Sequence, residues 1–153
     1  MGPTSPESRT HLLRLLAILR ALHWSHWTSH WKVKGDPQYG DHLLFGRLYE
    51  NMVEEIDGLG EKIVSYFGPP SLGDQVGMGL AYEFLSRFPL NDGGPTDLYE
   101  RALGMEEQLQ VELAGTYEDL KAAGEMSLGL DDFIMSLANQ HETHQYLLRQ
   151  RLR

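Results

Sequence analysis

The side chains able to do chemistry are concentrated between His23 and Lys62, which read HWSHWTSHWKVKGDPQYGDHLLFGRLYENMVEEIDGLGEK. This stretch holds four of the seven histidines, all three tryptophans and a dense set of carboxylates. Imidazole and carboxylate together suit first-row metals that cycle between oxidation states or stay divalent. His30 and His42 are separated by eleven residues, His42 and Asp57 by fourteen, and Asp57 and Glu61 by three. At i and i+4, Asp57 and Glu61 are neighbours on one helix face and can share or flank one ion. The chain has no cysteine, so an ion must rest on His, Asp, Glu or water.

Helices must position these groups. From about His11 the run LLRLLAILRAL is a strong helix former, unbroken until Gly35. Leu12, Leu15, Leu16, Leu19 and Leu22 form one stripe, which His23, His26 and His30 continue. Trp24, Trp27 and Trp31 lie beside it, so the helix is apolar on two sides, one more than a single bundle uses. That second side predicts a subunit interface. Lys34-Gly35-Asp36-Pro37 reads as a turn. A second helix is expected from Asp41 to Tyr66, with Phe45, Leu48, Tyr49, Met52, Val53, Ile56, Leu59 and Ile63 as its apolar set. Glu50, Glu54, Asp57 and Glu61 fall in a narrow arc on roughly the opposite side, away from the helix's own core.

Phe67-Gly68-Pro69-Pro70 ends that helix. A short helix over Asp74 to Phe88 interrupts a long crossover. After the loop Asn91 to Pro95, Thr96 is placed to cap a third long helix reaching Ala123. A fourth runs from Leu130 to Leu152, and residues 1–10 read as a flexible polar lead. No segment alternates with period two. The expectation is one all-α domain over residues 1–153: a four-helix bundle of ferritin-like connectivity, with a short extra helix between helices two and three. A chain of 153 residues buries about two-thirds of its unfolded surface, enough for one such core.

Asp and Glu number 22 against 13 Lys and Arg, giving a net charge of −9. That balance attracts cations and opposes phosphate contact. No apolar run reaches the roughly 20 residues of a membrane span, and the start lacks the order of a signal peptide. A cytoplasmic protein is expected.

His30-Trp31-Lys32-Val33-Lys34-Gly35, then His42, then Asp57-Gly58-Leu59-Gly60-Glu61-Lys62-Ile63 resembles the signature of the Dps mini-ferritins. The similarity extends over nearly the whole chain in helix order and length. It implies a ferroxidase site between two subunits related by a two-fold axis. His30 and His42 would come from one subunit, Asp57 and Glu61 from the other, holding one or two irons. It also implies a hollow dodecamer that oxidises Fe(II) with hydrogen peroxide or O2, stores ferric mineral and protects against oxidative stress. Trp31 would be an electron donor beside the site or an interface anchor, and the anchor is the favoured role. Glu125, Asp131 and Asp132 match the place where family members line an acidic pore, though capping of helix ends explains such acids equally well.

One position departs from the pattern. The family places a carboxylate four residues after the second histidine, and here that residue is Gly46. His26, one turn before His30, and Glu54, beside Asp57, are the candidates to replace it. A non-catalytic cage with a degenerate site is therefore the alternative. A ferritin-like enzyme with its site inside one bundle ranks last, because the usual Glu-x-x-His pairs are missing. His23, His26, His141 and His144 read as core or interface groups. Family members that bind DNA use lysine-rich tails, whereas the first ten residues here carry Arg9 against Glu7. Arg149, Arg151 and Arg153 make only a small basic end, so nucleic acid is not an expected partner.

Overall fold

Ser5 starts the first helix: its hydroxyl accepts the Ser8 N–H at 3.1 Å, and Pro6 follows at the position where its missing N–H costs nothing. The computed structural model describes residues 2–33 and 38–153, so the turn expected over Lys34 to Pro37 lies outside the described residues. α1 spans Pro6–Lys32, α2 Gln38–Glu50, α3 Val53–Phe67, α4 Asp74–Ser86, α5 Pro95–Ala122 and α6 Leu128–Leu152, with a single 3₁₀ turn at Pro69–Ser71. The described residues contain no strand. α1 packs against α2, α3, α4 and α5, and α5 packs against α6. The expected all-α, ferritin-like bundle is present, with α4 as the extra helix in the crossover.

The structure differs from the expectation at three helix ends. The helix foreseen from Asp41 to Tyr66 is interrupted at Asn51 and Met52, giving α2 and α3. There the Met52 N–H reaches only three residues back, to the Tyr49 carbonyl at 3.1 Å, before Ile56 resumes the four-residue reach to Met52 at 3.0 Å. α5 is capped by Gly94 with Pro95 in its first turn, not by Thr96. The buried Asp97 explains this: its carboxylate accepts the N–H groups of Asn91, Asp92 and Gly93 at 2.7–2.9 Å and clasps the loop.

The third difference is the lead, which is helical from Pro6. It is held by Glu125, whose carboxylate accepts from the backbone N–H groups of Thr4 and Ser5 and from the hydroxyls of Thr4, Ser5 and Ser8. Gly124 delivers that side chain. At φ +70° it closes α5 while the Glu125 N–H bonds to the Leu120 carbonyl and its own N–H to Lys121, both at 3.0 Å. The Ser5 and Ser8 hydroxyls hold the Glu125 carboxyl far below the usual carboxylate range.

Buried positions recur in alternating steps of three and four along three of the long helices. They are Leu12, Leu15, Leu19, Leu22, His26 and Ser29 on α1; Tyr99, Ala102, Glu106, Leu109, Leu113, Thr116 and Leu120 on α5; and Leu130, Ile134, Leu137, His141, His144 and Leu148 on α6. Two apolar clusters result. The larger gathers Leu12 to Leu22, Leu109 to Leu120 and Leu130 to Leu137, and the smaller gathers Val33, Phe45, Leu48, Tyr99, Ala102 and Leu148. Along each seam, the polar positions His26, Glu106, His141 and His144 fall between the two.

The smaller cluster is locked by a buried clamp. Asp41 accepts from the Tyr99 hydroxyl at 2.7 Å and from Arg151 at 2.6 and 3.2 Å, and the guanidinium lies 5.0 Å from the Tyr99 ring centre. Burial works against the Asp41 carboxylate, but the Arg151 and Tyr99 hydrogen bonds prevail and lower its pKa.

Candidate metal-binding residues

α1 and α2 bring His30 and His42 together. Their rings stack with centroids 3.5 Å apart, and the hydrogen bonding is reciprocal: His30 Nδ1 meets the His42 carbonyl at 2.6 Å, and His42 Nδ1 meets the His30 carbonyl at 3.0 Å. A carbonyl oxygen only accepts, so each Nδ1 carries a proton, and Nε2 is the ring atom left to ligate. A backbone carbonyl behind one ring nitrogen is the usual support of a histidine that ligates through the other. Gly46 makes this packing fit. A Cβ built there would lie 3.3 Å from His30 Cε1 and 3.4 Å from Nδ1, so the His30 ring lies against the place where the family's carboxylate would begin.

Asp57 and Glu61 sit on the exposed face of α3, with the exposed Glu54 one turn before them and the exposed Glu50 at the end of α2. None of these four acids joins the buried core. Trp24, Trp27 and Trp31 are exposed, Trp24 by 71% and Trp31 by 65%, so the second apolar side of α1 is not covered by its own chain. Trp27 stacks on Tyr49 at 5.1 Å and leans on Trp31 at 5.4 Å. Asp131 accepts from the Tyr117 hydroxyl at 3.2 Å, and Asp132 is exposed. Glu125, by contrast, has both carboxylate oxygens engaged with the N-terminal segment.

His26 does not accompany His30. It is fully buried and its Nε2 lies 2.9 Å from Glu106 Oε1, which removes it as a replacement ligand beside His30 and His42. Glu54 lines an open cleft of about 720 Å³ together with Glu50, Asn51, Glu55 and Gln140.

Glu106 is the residue that sequence reasoning missed. It lies at the centre of the bundle, fully buried, and three imidazoles converge on it. Besides His26, His144 Nδ1 stands 3.2 Å from Oε1 and His141 Nδ1 2.5 Å from Oε2. His141 Nε2 extends the chain to Glu55 Oε2 at 2.8 Å. Burial disfavours the charged form of each group, and the outcome differs by neighbour. His26 stays depressed, because burial outweighs the pull of Glu106. For His141, Glu106 and Glu55 on its two nitrogens overcome burial and raise the pKa to about 10. For Glu106, the surrounding histidines overcome burial and hold the carboxyl well below its usual value. A signal for this cluster exists in the sequence: Glu106 occupies a core position of a three-four seam where an aliphatic residue is expected. His141 and His144 are core groups, as read from the sequence, but they are gathered on one carboxylate.

No family model matches the sequence, and no curated protein does. Solved structures do. The chain is similar to Dps from Thermosynechococcus elongatus, with a TM-score of 0.82 and 22% identity over 96% of this chain and 90% of that one. It is also similar to DpsC from Streptomyces coelicolor, with a TM-score of 0.81 and 21% identity over 100% and 91%. Dps from Microbacterium arborescens in its high-iron form aligns with a TM-score of 0.77 and 17% identity over 99% of both chains. The fold of this chain is that of the Dps proteins.

Proposed function

We propose that the protein is a Dps-type mini-ferritin that oxidises Fe(II), with hydrogen peroxide or O2, at sites shared between subunits. It stores the ferric product inside a dodecameric cage in the cytoplasm and so limits peroxide-driven damage. The reading is carried by one observation, the reciprocal pairing of His30 and His42 on the Dps fold, which ties each Nδ1 to a carbonyl and leaves Nε2 of each ring to ligate. It is supported by the outward face of α3, where Asp57 and Glu61 are exposed for a neighbouring subunit. The acidic balance of the chain supports it as well, because it concentrates cations near the surface.

In this reading His30 and His42 bind Fe(II) through Nε2, and the carbonyls behind Nδ1 fix the rings and raise their basicity. Asp57 and Glu61 arrive from the adjacent subunit and stabilise the higher charge of Fe(III). Two Fe(II) ions each give one electron to a peroxide, whose O–O bond breaks; with two protons it leaves as two waters. Trp31, exposed beside the pair, is an interface anchor covered on assembly.

Gly46 favours a second reading, a cage that binds iron without accelerating its oxidation. The His30 ring lies against the position of the missing carboxylate, so one ligand of the family's set has no counterpart within α2. Anaerobic loading with Fe(II) followed by peroxide separates the two. The first reading predicts ferric absorbance rising faster than in buffer, and a rate at least about tenfold lower after His30→Ala or Asp57→Ala. Iron uptake with oxidation no faster than buffer would select the second.

A further inference from the structure

The layer between the two apolar clusters has the composition of a metal site rather than of a core. One carboxylate and three imidazoles, all fully buried, come from α1, α5 and α6, with the partly buried Glu55 reaching in from α3. We propose that this layer is a second metal site, enclosed within a single chain. It takes a divalent first-row transition-metal ion on Glu106, His141 Nδ1 and His144 Nδ1, with His26 Nε2 bonded to the same Glu106 carboxylate beside them.

Spacing supports this assignment. One donor atom from each of Glu106, His141 and His144 lies within 4.8 Å of the others. The nitrogens stand 2.5–3.2 Å from the Glu106 oxygens. Tetrahedral ligands at bond lengths of about 2.0–2.1 Å are about 3.3 Å apart, so a small outward movement admits an ion where protons now bridge the groups. Two imidazoles and a carboxylate without thiolate suit Zn²⁺, Co²⁺, Fe²⁺ or Mn²⁺.

The outer partners are also in place. His141 Nε2 meets Glu55 at 2.8 Å, the carboxylate–histidine arrangement that orients a ligating ring and raises its basicity. His144 Nε2 lies 3.5 Å from the Gln140 amide, which by turning over offers its oxygen to the ring N–H. Two carboxylates, Glu106 and Glu55, match the charge of a divalent ion in a place where unpaired charge is costly.

The site has an approach from solvent. Glu55 and Gln140, the two outer partners, both line the acidic cleft that Glu50, Asn51 and Glu54 complete. The break between α2 and α3 includes Asn51, on the same rim. A cation drawn to Glu50 and Glu54 meets Glu55 next, and Glu55 is already bonded to His141.

This proposal does not rest on the cage reading, and a test can keep the two apart. The full-length His30→Ala/Asp57→Ala protein lacks two of the four proposed intersubunit ligands, one from each side; stripped of metal, it is titrated with Co²⁺. It should bind one equivalent per chain, with visible d–d absorption and a cobalt-edge X-ray signal from at least two imidazoles. Adding Glu106→Gln should abolish that equivalent, and adding His144→Gln, which retains the carboxylate, should weaken it at least tenfold. If Glu106→Gln does not fold, the His144→Gln titration and the imidazole count decide the question. Absence of Co²⁺ binding in the background protein would overturn the proposal, leaving the layer a proton-bridged network. An equivalent whose strength and spectrum survive His144→Gln would overturn it too.

Discussion

At Gly46 two opposing forces meet within one residue. Alanine would favour the helix by up to about 1 kcal/mol over glycine. Its Cβ, however, would stand 3.3 Å from the His30 ring and press on the bond between His30 Nδ1 and the His42 carbonyl. Gly46→Ala should therefore leave the melting temperature nearly unchanged while slowing peroxide-driven Fe(II) oxidation at least about tenfold. Circular dichroism and ferric absorbance read the two effects, and an unslowed variant would show that the tight His30 packing does not matter. The nearness of His30 to His42 and the outward placing of Asp57 and Glu61 were legible in the sequence, because residue type and spacing along one chain carry them. The places of Glu55 and Glu106 were not, because these depend on which helices face them. Only the place of Glu106 on a buried seam marked it, and a search for Glu-x-x-His pairs passes over a seam whose α6 pair is His141-x-x-His144.

Among the elements, the Asp41 clamp joins the start of α2, the start of α5 and the end of α6. Tyr99→Phe removes one hydrogen bond to a buried carboxylate and should cost about 1.5–3 kcal/mol in denaturant unfolding. The pH dependence has a definite sign. Asp41 has a folded pKa below its ordinary value of 3.8, so its contribution is complete above that value and is lost as pH falls below it. The stability gap between the unmutated protein and Asp41→Asn should be constant near neutrality and narrow below about pH 4. A gap unchanged down to pH 2 would exclude the clamp as its source. Helix order and length were readable from periodicity, while the break at Asn51 and Met52 was not, because no proline or glycine marks it. Nor was the helical start at Pro6, since the carboxylate that holds it lies far along the chain at Glu125.

On the scale of the whole molecule, the exposed Trp24, Trp27 and Trp31 define a face that a lone chain leaves in water. Contiguous apolar surface of this kind marks an interface. Light scattering should give a particle twelve times the 17.4 kDa chain, and Trp24→Glu with Trp31→Glu should reduce it to smaller species that keep their helical spectrum. A full-sized particle from the double variant would place the contacts elsewhere. A subunit interface could be anticipated from the sequence only through the surplus of aromatic residues on α1, because symmetry is written on no single helix.

Whether a working site draws its imidazoles and carboxylates from different chains is tested most directly by mixing. Equal amounts of unfolded His30→Ala and Asp57→Ala chains, each inactive by itself, are refolded together and assayed with Fe(II) and peroxide. In mixed assemblies about half of the two-fold interfaces join unlike chains, and each of these holds one intact site of its two, so about a quarter of the sites and of the unmutated rate should return. Mixed assemblies no more active than either parent would contradict a site shared between subunits.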